Sequence, residues 1–361
     1  MKVVTIVGAR PQFVKAATVS RAFAACQPAV TEVIVHTGQH FDANMSEVFF
    51  TEMQIPKPQY QLELGGLGHG AMTGRMMERI ETILKDEKPD WLLVYGDTNS
   101  TMAGALAAVK LQVPVAHVEA GLRSFNRAMP EEINRVVSDH VASLLFAPTD
   151  AAVRNLANEG ITGKKVVRSG DVMYDAAMFY SRFGRGQVLQ SLGLRPREYF
   201  LATIHRQENV DGPQQLETIV RALSRCAREL PVVLPIHPRT RKKLAETGLD
   251  HLVEADRLRL VDPVGYLDMV ELEKDARVIL TDSGGVQKEA YFFGVPCVTI
   301  RGETEWVELV ECGANRLAPP VSVQAIVDAA LAAAGDTSKP PVGLYGDGHA
   351  ADAIAQRLAT A

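Results

Sequence analysis

The sequence predicts an α/β protein made of two successive doubly wound parallel-sheet domains. Three observations carry this. Short apolar runs rich in β-branched residues alternate with amphipathic stretches, the rhythm of βαβ units. That rhythm breaks once, across residues 171–195, and then restarts. At 361 residues the chain also exceeds what one core ordinarily supports, so two domains of roughly 150–200 residues are expected.

Taken in order, KVVTIV reads as a strand, residues 11–26 as a helix and TEVIVHT as a strand. Residues 42–54 and 69–88 read as helices, WLLVYG as a strand, 98–110 as a helix and VPVAHV as a strand. Residues 130–142 and 149–159 are helical candidates on either side of the strand LLFAP, and KVVRSG closes a first domain over 1–170. FGRGQVLQSLGLRPRE has no clean period, so 171–195 reads as a linker holding a short helix. A second domain, 196–340, has strands YFLATIH, VVLPIH, LRLVDP, RVILTD and VPCVTI, with helices at 213–229, 239–247, 266–275, 284–293 and 321–334. The end of the chain, 345–361, becomes an Ala-rich amphipathic helix that either packs back on the first domain or frays. Ligands of such sheets bind at the carboxyl ends of the strands, and a cleft between two such domains is the default site.

Composition excludes several function classes. With 47% hydrophobic and 22% charged residues the chain is an ordinary globular one. Its net charge of −5, with basic residues scattered singly, offers no footprint for nucleic acid or an anionic membrane. MKVVTIV runs directly into a strand, so no signal peptide is expected, and no apolar run approaches the ~20 residues needed to span a bilayer. Cys26, Cys226, Cys297 and Cys312 form no C-x-x-C pair, which points to reducing cytoplasm rather than a disulfide framework or structural zinc.

The unusual residues collect at strand ends, in four clusters. In VGARPQFVK, Gly8 ends the first strand and Arg10 and Lys15 bring two cations near a helix start, which suits an anion. The plain alternative is a tight turn with solvated cations. No G-x-G-x-x-G or Walker A pattern is present, so no nicotinamide or ATP fingerprint is read here. In YGDTNSTMAGALAA, Asp97 leaves a buried strand for a helix, and taken alone it reads as an ordinary N-cap. In HVEAGLRSFNRAMPEEINR, Glu119 abuts a buried strand and therefore needs a partner. Glu131 falls one helical turn before Arg135, and a solvated set of Glu131, Glu132 and Arg135 is the plain reading of that helix.

The fourth cluster lies in the second domain. His205, Arg206 and Glu208 follow one strand, His237 and Arg239 another, and ILTDSGGVQKEA a third. Ser283, Gly284 and Gly285 entering a helix offer unencumbered N–H groups and a positive dipole end, a phosphate cradle. Glu289, six residues on, is placed to accept hydrogen bonds from a ribose beyond the phosphate. The nine histidines show no zinc-ligand spacing, so no metal is expected, and His205 is the one read as functional.

Together these clusters resemble the non-hydrolysing UDP-N-acetylglucosamine 2-epimerases. GARPQFVKA, HTGQHFDANMSEVFF, YGDTNST, HVEAGLRS, MPEEINR, HRQEN and TDSGGVQKEA occur in that family's order and spacing across nearly the whole chain. The resemblance implies two Rossmann-like domains facing a cleft, as in B-type glycosyltransferases, a homodimer and no added cofactor. It implies that Asp97, Glu119 and Glu131 are acid/base carboxylates and that His205 is the essential histidine near the diphosphate. It also implies that Arg10 and Lys15 are first-domain binding cations, and that Ser283, Gly284, Gly285 and Glu289 bind UDP; Arg135, on the helix of Glu131, is a further substrate-binding candidate. Gln39 and His40 run into Phe41, Asp42, Ala43 and Asn44 rather than a glutamine-rich segment, so activation by a second UDP-sugar is not carried over. GARPQF, DANMS and IRGETEWVE look more like the branch acting on UDP-diacetamido-glucuronate, a precursor of bacterial surface polysaccharides.

The chemistry explains such a residue set. C2 of an N-acetylhexosamine lies beside an acetal, so its proton is only weakly acidic. Loss of UDP from C1 while that proton leaves gives a glycal, and re-addition with the proton on the other face inverts C2. This route needs a base, an acid and fixed donors for the diphosphate. A UDP-sugar glycosyltransferase, a hydrolysing epimerase and a non-catalytic sensor remain alternatives on the same fold.

Overall fold

In a computed structural model the described residues are 1–39, 56–184, 186–253, 257–338 and 340–361. The chain divides into two compact units, Met1–Ala176 with Gly343–Ala361, and Ala177–Val342.

The first unit holds β1 (Lys2–Val7), β2 (Thr31–His36), β3 (Tyr60–Gln61), β4 (Trp91–Tyr95), β5 (Val115–Val118), β6 (Leu144–Ala147) and β7 (Val166–Arg168). They form one sheet in the order β3-β2-β1-β4-β5-β6-β7, with every pairing parallel. A parallel sheet covered by helices on both faces has no polar side, and this explains the unbroken apolar runs. Val3, Val4, Ile6 and Val7 of β1 are buried, as is every residue of β5. Helix His69–Glu87 packs by a single stripe, Met72, Met76, Ile80, Ile83 and Leu84, at the three-to-four spacing of one helical face.

The second unit holds β8 (Phe200–Thr203), β9 (Val232–Pro235), β10 (Leu258–Val261), β11 (Val278–Thr281), β12 (Cys297–Thr299) and β13 (Asn315–Leu317). Its sheet runs β10-β9-β8-β11-β12-β13, again all parallel. Apolar clusters fill both of its faces. Each unit is thus Rossmann-like, and in each the strand order reverses at one place, between β1 and β4 and between β8 and β11. Crevices at such reversals are where open α/β sheets take ligands.

The structure differs from the sequence reading at weakly patterned segments. β3 and β13 are two and three residues long, too short to carry a period. The stretch 171–195 is not a plain linker: it contains helices Val172–Tyr180 and Gln187–Ser191. Val172, Met173, Ala176, Ala177 and Tyr180 are all buried, so the first of these helices lacks a polar face to signal it, and the unit boundary falls inside it. Helices Gln207–Asp211 and Val307–Glu311 are five residues each, too short for a helical period to show in the sequence. The expected helix at 42–54 lies outside the described residues.

The terminal helix Ala350–Ala359 belongs to the first unit, against helix Arg10–Ala25. Asp175 holds its start, accepting the Ala351 N–H at 2.7 Å. Gly170, at φ +85°, lies where a Cβ would meet the Tyr345 carbonyl at 2.9 Å, so only glycine suits that crossing. Among the described residues no helix is long and apolar enough to cross a membrane.

Candidate active site

In the first unit the β1–β4 reversal is stitched by Gln12, a residue the sequence reading passed over. Its Oε1 accepts the Gly8 and Ala9 N–H groups at 2.8 and 3.1 Å. Its Nε2 lies 2.7 Å from the Tyr95 carbonyl, 2.9 Å from Thr98 Oγ1 and 3.0 Å from Thr101 Oγ1. Gly8 is required there, because a Cβ would sit 2.2 Å from both Thr37 Oγ1 and Ser100 Oγ. Helix Arg10–Ala25 starts at Arg10; the Arg10 side chain is outside the described set.

Asp97 follows β4 by way of Gly96, but it is not the helix cap expected of it. Thr98 is the N-cap of helix Asn99–Lys110, accepting the Thr101 N–H. This frees Asp97 for Arg135, whose Nη2 lies 2.5 Å from Asp97 Oδ2. Burial pushes the Asp97 carboxyl above the ordinary aspartate range. The Arg135 charge opposes that rise and the neighbouring Glu119 adds to it. The side chain keeps 31% of its exposure, which damps the effect.

Glu119 directly follows β5 and is held in the left-handed region at φ +69°, a strained position for a residue with a Cβ. Its N–H and that of Ala120 both donate to the Phe146 carbonyl at the end of β6. The partner it requires is Lys15, in direct ion-pair contact, with both side chains 9% exposed. Gly96 makes room for the pair, since a Cβ there would come within 3.2 Å of both charged groups.

On helix Pro130–Val141 the plain alternative, a solvated set, does not hold. Glu131 alone is exposed, without a hydrogen bond or ion pair among the described residues. Glu132 and Arg135 are buried and paired at 2.9 Å. Glu132 also accepts the Ser124 and Phe125 N–H groups and the Ser124 hydroxyl. Burial alone would raise its pKa, but the bonds from Ser124, Arg135 and Phe125 outweigh that and lower it. Both glutamates lie within a turn of Arg135, and only packing says which one faces inward.

Beneath these residues lies an unread charged network. His117 Nδ1 is 2.7 Å from Asp139 Oδ1, and its Nε2 is 2.7 Å from the Gly96 carbonyl, an acceptor, so Nε2 carries a proton. Asp139 also receives Arg123 Nη1 at 2.7 Å and the Gly121 N–H at 3.0 Å. It therefore titrates low, despite burial that alone would raise it.

In the second unit the β8–β11 reversal is organised by Asp282, fully buried at the end of β11. Its carboxylate accepts the N–H groups of His205 (3.1 Å) and Arg206 (3.0 Å) and the Asn209 amide (3.0 Å). It also faces His205 Nδ1 at 3.1 Å. Burial would raise the Asp282 pKa, but His205 and Asn209 lower it. Asp282 was legible by the criterion that singled out Glu119, an acid directly after an apolar strand.

Ser283 precedes helix Gly284–Phe292, and its side chain makes no capping bond. Gly285 is exposed. Glu289 Oε2 and Ser283 Oγ each lie 3.9 Å from where a Gly285 Cβ would stand, so carboxylate and hydroxyl converge on that open position. Glu289 is buried, with the Tyr266 hydroxyl donating to it at 3.3 Å. Gly284 is not open: the Glu305 carboxylate lies over it, ion-paired to Arg301 at 3.0 Å. His237 caps helix Pro238–Glu246. Among the described residues no cluster of three or more His, Cys, Asp or Glu side chains could hold a metal ion.

Fold and strand-end chemistry together define a protein of two Rossmann-like units with charged and polar groups at each strand-order reversal. Comparison with known proteins specifies the family. The profile described as UDP-N-acetylglucosamine 2-epimerase matches residues 24–359, and the chain belongs to that family. It is 53% identical, over 99% of each chain, to the UDP-2,3-diacetamido-2,3-dideoxy-D-glucuronate 2-epimerase of Pseudomonas aeruginosa. Among solved structures it is similar to the Methanocaldococcus jannaschii UDP-GlcNAc 2-epimerase in complex with UDP-GlcNAc and UDP. That match has a TM-score of 0.90 and 41% identity over the whole of both chains. The Neisseria meningitidis UDP-GlcNAc 2-epimerase bound to UDP-GlcNAc matches with a TM-score of 0.90 at 29% identity, again over the whole of both chains.

Proposed function

We propose that this protein inverts C2 of a UDP-linked N-acetylated sugar, UDP-N-acetylglucosamine or its diacetamido-glucuronate equivalent, by eliminating UDP and adding it back. The observation that carries this is the paired acid chemistry of the first unit. Asp97 and Glu119 leave adjacent strands, and each is matched to its own cation, Arg135 and Lys15. Family membership and relatives bearing epimerase names support the same reading.

In this mechanism one carboxylate removes the C2 proton while the C1–O bond breaks, its electrons passing to the diphosphate, and a C1–C2 double bond forms. In the return step a proton is delivered to the opposite face of C2 and a diphosphate oxygen rebonds to C1. Asp97, whose carboxyl burial holds above the ordinary aspartate range, is assigned as the acid. Glu119, its charge offset by Lys15, is assigned as the base. Glu131 is the third carboxylate, exposed one turn before Arg135. Arg10, Lys15 and Arg135 bind from the first domain. His205, Ser283, Gly284 and Gly285 hold the diphosphate, with Glu289 at the ribose. The reading makes the protein a cytoplasmic homodimer that supplies precursors for surface polysaccharide, as the motif resemblance implies.

Incubation with each UDP-sugar in deuterated water tests this. The expected product carries deuterium at C2 with UDP retained, and Glu119→Gln loses the exchange while keeping UDP affinity. Free sugar without an acceptor would instead establish hydrolysis, and unchanged exchange in Glu119→Gln would remove its assignment.

A further inference from the structure

We infer that Glu305 is a resident competitor for the diphosphate, holding by its own carboxylate the place beside Gly284 and the guanidinium of Arg206 that the ligand takes over. The inference rests on the proposed function, because it concerns the same diphosphate site.

Glu305 Oε1 lies 2.3 Å from where a Gly284 Cβ would be, so the carboxylate is pressed against the first residue of helix Gly284–Phe292. The helix dipole favours an anion at that end, and a side-chain carboxylate already stands there. The loop carrying it is firmly tied down. Thr304 Oγ1 donates to Gln287 Oε1 at 2.7 Å, the Trp306 N–H donates to Thr304 Oγ1 at 3.2 Å, and Gln287 is itself fully buried.

The cations around Glu305 are held unequally. Arg301 is buried, with Nη1 3.0 Å from Glu305 Oε2, a normal ion-pair contact. Arg206 is partly exposed, and its Nη2 is 3.9 Å from Glu305 Oε1, at the outer limit of pairing. Arg206 is meanwhile anchored at its other end, Nε donating to the Asp282 carbonyl at 3.1 Å. Its head is therefore the weakly committed cation, positioned by Asp282 and only loosely engaged by Glu305. Lys288 is occupied over the Trp306 ring, with Nζ 4.2 Å from the centroid.

Without ligand, the carboxylates of Asp282 and Glu305 balance the guanidiniums of Arg206 and Arg301. A diphosphate adds further negative charge at the same turn, and the arrangement accommodates it by transferring Arg206 to the phosphoryl oxygens while Glu305 keeps Arg301. Glu305 then opposes tight UDP binding at every stage. Such moderation suits a leaving group that must depart from C1 and return, since tight binding of UDP alone would not speed that exchange.

Titration calorimetry of the full chain with UDP and with uridine tests this. Removing one unit charge from beside the phosphates, at an intermediate effective dielectric, corresponds to a change in affinity of about tenfold, about 1.4 kcal/mol. Glu305→Gln is expected to bind UDP about tenfold more tightly with uridine affinity unchanged. Glu305→Asp, which withdraws the carboxylate by one methylene, is expected to tighten UDP by about two- to threefold. The inference is overturned if either variant, melting as the wild type does, binds UDP with unchanged or weaker affinity, or if uridine tightens equally. A wild-type chain that does not bind UDP at all would instead sink the proposed function.

Discussion

Adjacent glutamates on one helix offer a direct test of how burial divides roles. Glu132→Gln keeps the shape of the side chain but removes a charge that is 3% exposed and serves Arg135, Ser124 and Phe125 together. Breaking a buried ion pair from one side costs ~3–5 kcal/mol. Arg135 retains Asp97 as a second partner, and the glutamine oxygen still accepts some of the bonds, so about 3 kcal/mol is expected. For a unit of this size that is a fall in melting temperature of roughly 6–12 °C. Glu131→Gln, at an exposed position without a partner among the described residues, is expected to shift the melt by less than ~2 °C. The difference between wild type and Glu132→Gln also has a defined pH dependence. The folded-state pKa of Glu132 is depressed, so its stabilisation is complete above the ordinary glutamate value, about 4.3, and is lost as pH falls through the lower folded value. Differential scanning calorimetry from pH 8 to pH 3 measures both quantities. Equal melting of the two variants at pH 7 would refute the claim that Glu132, and not Glu131, is the buried partner.

Two further outcomes follow from the geometry. Asp282→Asn replaces a buried acceptor of several N–H donors, so a loss of about 2–4 kcal/mol is expected in denaturant titration, with weaker UDP binding as the His205 turn loosens. UDP affinity at the wild-type level would show that Asp282 does not position that turn. Asp175 has a pKa raised to about 6, chiefly by burial, so its contribution to stability is complete below about pH 4 and is lost as pH rises through 6. Asp175→Asn is accordingly expected to stabilise the protein by about 1 kcal/mol at pH 8 and to show no gain at pH 4, as read by thermal melts at each pH. A destabilised variant at pH 8 would mean that the charge itself, not only an acceptor oxygen, holds the terminal helix.

Some of the strand-end carboxylates were legible because sheet burial leaves few reasons for a carboxylate there. VAHV followed by Glu marks Glu119 without reference to any contact, whereas WLLVY followed by Gly-Asp leaves Asp97 readable as a helix cap. The same logic applies to VILT followed by Asp282, which was overlooked beside the more conspicuous Ser-Gly-Gly. Gln12 gives no such signal: an amide after Arg-Pro becomes a staple only because two strand-end turns happen to face it. Glu305 lies in a loop between β12 and helix Val307–Glu311, where no periodicity identifies its neighbour.

By itself the sequence determined the two parallel-sheet units, the order of most elements and which strand ends bear charged or polar residues. Those properties follow from local burial, which writes continuous apolar runs and helical stripes into contiguous residues. Only the tertiary structure decided that Lys15 answers Glu119 across 104 residues, that Asp282 grips His205 across 77, and that Glu132 turns inward while Glu131 does not. Such pairings depend on which turns the sheets bring side by side, and no local period encodes that.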